Sequence, residues 1–177
     1  MWEISKQFDF CYGHRVWTQE LKEEFSLDTA CACRHLHGHQ GSIVIYLKAK
    51  ELQKGMVTDF KHLNWFKKWL DETLDHKFIM DIADPLLEYE VLSTHKVKFI
   101  HNPGFDYYSL QGLSHLPVCL IEKYEGMVFV NFTPTSENLC QWIHTIVQRK
   151  MKKINIDVSR IQFFETPKSQ SNYFFTK

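Results

Sequence analysis

The chain has 177 residues, enough to bury a real core and suited to one domain over 1–177. Hydrophobic residues at 44% and charged residues at 24% are ordinary globular usage, which excludes a disordered, collagen-like or coiled-coil chain. Twenty-one Lys+Arg balance 21 Asp+Glu, so no global field exists to hold a polyanion and nucleic acid is not expected as a partner.

From Trp2, apolar and aromatic residues fall on alternate positions (Trp2, Ile4, Phe8, Phe10, Tyr12), which predicts a strand with one buried face and His14 at its end on that face. Thr18–Arg34 has no clear period and reads as a loop. Leu36–Lys50 predicts a second strand, on which His37, His39, Gly41, Ile43, Ile45 and Leu47 share a face. After the turn Lys54-Gly55, Thr58 or Asp59 caps a helix to about Leu74, apolar at Phe60, Leu63, Phe66, Leu70 and Leu74. Thr133-Pro134-Thr135 opens a second helix through about Lys152, and its basic last turn suits the helix dipole. Asp157–Thr166 and Asn172–Thr176 read as strands, with Ile161, Phe163 and Glu165 on one face of the first. Asp84–Asn131, rich in Pro and Gly, reads as an insertion between the helices, with strands near Lys96–His101 and Met127–Phe132. The order ββααββ predicts an α+β fold, a four-stranded antiparallel sheet with two helices on one face. No stretch reaches the roughly 18 apolar residues of a membrane helix and Met1–Arg15 has no signal-type apolar core, so no membrane partner and a cytoplasmic location are expected.

Five cysteines, odd in number and mostly scattered, are expected to be reduced. The histidines carry more information. By parity His14, His37 and His39 meet on one face at one end of two adjacent strands, and three imidazoles with an open position is the pattern of catalytic zinc. Hydrogen-bonded surface histidines are the plainer alternative. Cys31 and Cys33 with His37 and His39 would make a structural zinc site, but four ligands within nine residues leave little chain to fold around a tetrahedron. A Cys31/Cys33 redox pair would close a strained ring.

Phe10-x-x-x-His14-Arg15, Cys33-Arg34-His35-Leu36-His37-Gly38-His39, Gly55-Met56-Val57-x-Asp59-Phe60, Leu74-Asp75-His76, Pro134-Thr135-x-Glu137-Asn138-Leu139 and Glu165-Thr166 occur in this order. In this the chain resembles the 6-pyruvoyltetrahydropterin synthase superfamily, most closely its bacterial branch, 6-carboxytetrahydropterin synthase of the queuosine precursor pathway. Only Asp84–Asn131 departs from the compact family pattern. The resemblance implies a tunnelling fold (T-fold) assembled as trimers that pair into hexamers, with active sites at subunit interfaces. It implies zinc on His14, His37 and His39, a catalytic cysteine, the Asp75–His76 pair and Glu165 as pterin anchor, with Thr135 and Glu137 in the family's helix-start motif. The carboxy branch places its cysteine four residues before the first His of His-x-His, at Cys33; the pyruvoyl branch places it six before, at Cys31.

Each residue type suits its part. Zinc on three histidines acts as a Lewis acid on substrate hydroxyls, and a cysteine beside the ion becomes a thiolate base. Asp75 orients His76, although without the resemblance a helix C-terminus, with His76 complementing the dipole, is the preferred reading of that pair, and capping explains Thr135 equally well. Glu165 accepts two parallel hydrogen bonds from a pterin edge. The expected activity is a zinc-dependent lyase converting 7,8-dihydroneopterin triphosphate to 6-carboxy-5,6,7,8-tetrahydropterin, acetaldehyde and triphosphate. The alternatives are triphosphate elimination by a pyruvoyl synthase and a non-catalytic zinc- or pterin-binding member.

Overall fold

The computed structural model describes residues 1–26, 29–93 and 96–175. Its strands are β1 (Trp2–His14), β2 (His37–Ala49), β3 (Lys77–Asp81), β4 (Lys98–Asn102), β5 (Tyr107–Gln111), β6 (Met127–Val130), β7 (Asp157–Thr166) and β8 (Ser169–Phe174). The α-helices are α1 (Asn64–Thr73), the single turn α2 (Pro85–Leu87), α3 (Val118–Glu125) and α4 (Ser136–Met151). The chain divides into two compact units, one of Met1–Cys11, His39–Asp75 and Thr135–Lys177, the other of Tyr12–Gly38 and His76–Pro134.

In the first unit the alternation of β2 and β7 is carried into burial: Ile43, Ile45, Leu47, Val158, Ile161 and Phe163 are at most 1% exposed. β2 and β7 pair antiparallel from Ser42↔Phe164 to Lys48↔Asp157, and β7 continues antiparallel into β8. The expected strand Asn172–Thr176 thus starts earlier, at Ser169, and Thr176 lies outside the described residues. Thr135 caps α4 by accepting the Asn138 N–H at 3.3 Å, and α4 buries Leu139, Trp142, Ile143, Ile146 and Val147. Asp59 caps a 3-10 turn, Phe60–Leu63, by accepting the Lys61 N–H at 2.7 Å, and α1 follows directly. Phe66 of α1 meets Phe8 of β1 edge-on at 5.0 Å, and Trp69 meets Trp142 of α4 at 5.6 Å. Two expected core residues are not buried: Trp2 is 57% and Phe60 48% exposed, because both lie at the mouth of a surface cavity of about 330 Å³ with Ile4, Leu52 and Met56. Lys54 and Gly55 both take positive φ in the turn between Gln53 and Met56, which is why the second of them is glycine.

The second unit corrects the expected architecture. The hydrogen-bonded strand order is β4-β5-β6-β3-β1-β2-β7-β8, eight strands and not four. The sheet is mixed and not antiparallel, because β3 runs parallel to both β1 (Tyr12↔Lys77 to His14↔Ile79) and β6 (Phe78↔Met127 to Asp81↔Val130). The physical reason is a separate apolar cluster of Met80, Leu87, Val91, Leu116, Tyr124 and Phe129, which residues 84–131 must bury. They do so by folding as β4, β5, α3 and β6, with strands β4 and β6 near the two expected positions. Two helices between the outer strand pairs therefore become four.

Candidate functional site

His14 ends β1 and His37 begins β2, and strand alternation sends His39 to the same side as His37. His14 is fully buried; His37 and His39 are partly buried. The His14 and His37 rings lie 4.5 Å apart, and one ligand atom from each of His14, His37 and His39 falls within 4.8 Å of the other two. Among the described residues no cysteine or carboxylate joins this group.

The tautomer of two of the rings is set by their hydrogen bonds. His14 Nδ1 lies 2.7 Å from the Pro134 carbonyl oxygen, and His37 Nδ1 lies 2.8 Å from that of His35. A carbonyl only accepts, so each Nδ1–H donates, and in the neutral imidazole Nε2 is then the lone-pair nitrogen. An imidazole oriented by its far N–H on a carbonyl is how a metal-ligating histidine is usually held. A set of three nitrogen donors, two of fixed tautomer, fits zinc.

Of the other expected site residues, Glu165 lies beside His39. Glu165 sits where the β7–β8 register slips between Phe164 and Thr166, and its Oε1 is 3.6 Å from His39 Nε2, beyond hydrogen-bond reach. Ile161 and Phe163 are buried as expected, and Glu165 is part-exposed at the register slip, where the strand's alternation is interrupted. Thr135 and Glu137 stand at the start of α4, directly after the Pro134 carbonyl that holds His14. Thr135 is occupied as the cap, and exposed Glu137 accepts from Ser136 Oγ at 3.3 Å. Asp75 Oδ1 accepts the Cys11 N–H at 2.8 Å, which anchors the end of α1 to β1. His76 follows at φ +59°, the left-handed position that ends a helix and usually takes glycine, with its side chain exposed. A non-glycine residue held there stores a modest strain of the kind found at functional sites.

Cys33 lies in a 3-10 turn, Ala32–Arg34, and Cys31 precedes that turn; both are half-buried, and all five cysteines are free thiols. The Cys33 N–H donates to Gln19 Oε1 at 2.9 Å and its carbonyl accepts the Val16 N–H at 2.7 Å. Sequence reading missed the two carbonyls that fix the histidine tautomers. Backbone acceptors carry no residue signature, although the Pro-Thr helix start did mark the Pro134 segment.

A sequence profile described as 6-pyruvoyl tetrahydropterin synthase matches residues 3–174. The chain belongs to that family. Within the family it is 29% identical over 184 aligned positions to the 6-carboxy-5,6,7,8-tetrahydropterin synthase of Aquifex aeolicus, covering 97% of each protein. It is 24% identical over 170 positions to the enzyme of that name from Rickettsia felis, covering 94% of this chain and 96% of the relative. The expectation of a synthase-like lyase is borne out by those names. A crystal structure of an uncharacterized protein from Wolinella succinogenes superposes with a TM-score of 0.92 at 42% identity, over 99% of this chain and 98% of that one. The 6-pyruvoyl tetrahydropterin synthase of Plasmodium vivax superposes with a TM-score of 0.56 at 15% identity over the whole of both chains, a likeness of fold alone.

Proposed function

We propose that this chain is a zinc-dependent 6-carboxytetrahydropterin synthase, which converts 7,8-dihydroneopterin triphosphate and one water to 6-carboxy-5,6,7,8-tetrahydropterin, acetaldehyde and triphosphate. The observation that carries the reading is the His14/His37/His39 group, with two Nδ1–H donors on carbonyls and no thiolate among the ligands. Those three side chains would hold the ion. When bound, zinc supplies Lewis-acid polarisation of the substrate's side-chain hydroxyls.

The remaining work falls to the chain's own residues. Cys33 Sγ takes a proton from the side-chain carbon of the substrate, and the imidazole of His76, oriented by Asp75, returns one. The Glu165 carboxylate accepts two parallel N–H bonds from the pterin edge, and its position 3.6 Å from His39 supports a substrate that reaches from pterin anchor to metal. Thr135 and Glu137 bind substrate from the start of α4. A second reading, 6-pyruvoyltetrahydropterin synthase, is favoured by one observation: Cys31 flanks the same turn as Cys33 and is equally half-buried.

The whole chain is read as one T-fold domain, with 84–131 a family-atypical insertion within it. Assembly into trimers and hexamers is supported by exposed strand edges. Among the described residues β4 and β8 stand at the two ends of the hydrogen-bonded strand order. A cytoplasmic enzyme of the queuosine precursor pathway completes the proposal; no described helix is long and apolar enough to cross a membrane. The test is turnover of 7,8-dihydroneopterin triphosphate by zinc-loaded protein, its loss on chelation and its return with zinc. Turnover untouched by complete removal of metal refutes the reading.

A further inference from the structure

Between His14 and the cysteine turn runs a short segment, Arg15-Val16-Trp17, outside any strand or helix. Its central residue donates the 2.7 Å hydrogen bond to the Cys33 carbonyl. No ladder holds this segment, so something else must fix where that N–H points. The two flanking side chains do so, and each ends on a buried carboxylate.

Trp17 donates its indole N–H to Asp81 Oδ2 at 3.0 Å, and the Arg15 guanidinium pairs with Asp84 Oδ2 at 3.1 Å. Asp81 is 4% and Asp84 2% exposed. Both carboxylates are themselves fixed. Asp81 Oδ1 accepts the Ala83 N–H at 2.9 Å and Asp84 Oδ1 the Leu86 N–H at 2.9 Å, so the turn that follows β3 presents two aimed acceptors. Asp81 Oδ2 also accepts a longer bond, 3.4 Å, from Thr133 Oγ1, the neighbour of the Pro134 whose carbonyl orients His14.

Buried ion pairs contribute little net stability, because desolvation offsets much of the attraction. What this pair and the indole bond supply is position. We propose that Asp81 and Asp84 are positioning residues for Cys33: they clamp Arg15 and Trp17 and thereby set the Val16 N–H that holds the cysteine turn. The proposal rests on the reading of Cys33 as the base and deepens it. Asp84 opens the segment that departs from the family pattern, so part of that segment's work is done at the active site.

The experiment compares Trp17→Phe, which removes only the indole N–H, with Asp81→Asn and with Val147→Ala, a buried α4 substitution chosen as a stability control. Turnover of 7,8-dihydroneopterin triphosphate, pterin affinity and the rate of Cys33 alkylation, resolved by peptide mass spectrometry, are measured on each. Trp17→Phe and Asp81→Asn are expected to lower kcat by about 10–100-fold, the range for loss of an outer positioning contact, with pterin affinity within about twofold. Cys33 alkylation is expected to rise by about threefold or more as the turn opens locally. Val147→Ala should lose thermal stability and keep kcat. If Asp81→Asn does not fold, Trp17→Phe decides alone. The proposal is overturned if Trp17→Phe leaves both kcat and alkylation within about twofold of the parent, or if Val147→Ala loses kcat equally. Normal turnover by Cys33→Ala would instead remove the base assignment, and the clamp is then judged by alkylation alone.

Discussion

Replacing His14 and His37 by Phe, one at a time, separates metal binding from folding, because the two rings spend their Nδ1–H in different surroundings. His14 is fully buried and donates to the carbonyl of buried Pro134 at 2.7 Å. Phe keeps the ring's bulk and removes the donor, which strands a carbonyl away from water at a cost of about 1–3 kcal/mol. At roughly 2–4 °C per kcal/mol for a chain of this size, that is a loss of several degrees in Tm. His37 is only partly buried and donates to the carbonyl of exposed His35, where water replaces the lost donor, so His37→Phe should stay within about 0.5 kcal/mol of the parent. Both variants remove one of three ligands, so both should lose zinc. Urea unfolding of chelator-treated protein reads the first difference, and elemental analysis of untreated protein reads the second. Equal apo stability of the two variants would refute the role given to Pro134, and full zinc in either would put the metal site elsewhere.

Glu165→Gln turns one acceptor into a donor facing the pterin N–H groups, so substrate affinity should weaken by roughly a few kcal/mol with zinc retained; unchanged affinity in a titration removes Glu165 from the site. Cys33→Ala should lower turnover by about 10²–10⁴ while Cys31→Ala keeps most of it. The reverse ranking, measured under the same conditions, would turn the assignment to the pyruvoyl reaction. His144 is buried in α4 beside Tyr173 and Phe175, and burial lowers its pKa from the ordinary 6.5. The unfolded chain therefore binds the proton more readily, and stability present above about pH 6.5 is lost as pH falls through the lowered folded value. Urea midpoints of the parent and of His144→Phe at neutral and mildly acidic pH should show a steeper acid loss in the parent; parallel profiles would refute this.

The parts of the fold that could be read were those whose side chains report their own environment. Ile43, Ile45 and Leu47 alternate on β2, and Leu139, Trp142, Ile143, Ile146 and Val147 stripe α4, because each element buries one face and the period survives in the sequence. β3 is different. Its Phe78-Ile79-Met80 run, bounded by Lys77 and Asp81, has no alternation because the strand is flanked by β1 and β6 in parallel pairs, and a short apolar run alone does not distinguish strand from helix end. Sheet membership beyond four strands then depends on pairings made by residues 84–131, a non-local matter that the ββααββ pattern does not encode. Trp2 and Phe60 kept the right period but lie where the elements end at a cavity mouth, which periodicity does not register.

At the site the histidines were legible because an i, i+2 pair shares a strand face and His14 closes its own strand. Their orientation was not, since Pro134 lies 120 positions from His14 and contributes only a carbonyl. Asp81 and Asp84 escaped for a related reason: an acidic residue after a strand reads as solvated until Trp17 and Arg15 are found against it.

The most direct measurement is the accounting of acetaldehyde against pterin product when zinc-loaded protein consumes 7,8-dihydroneopterin triphosphate, each quantified by mass spectrometry. The account predicts one acetaldehyde for every 6-carboxy-5,6,7,8-tetrahydropterin formed. Triphosphate released with a pyruvoyl pterin and no acetaldehyde, or pterin bound without turnover, would contradict it.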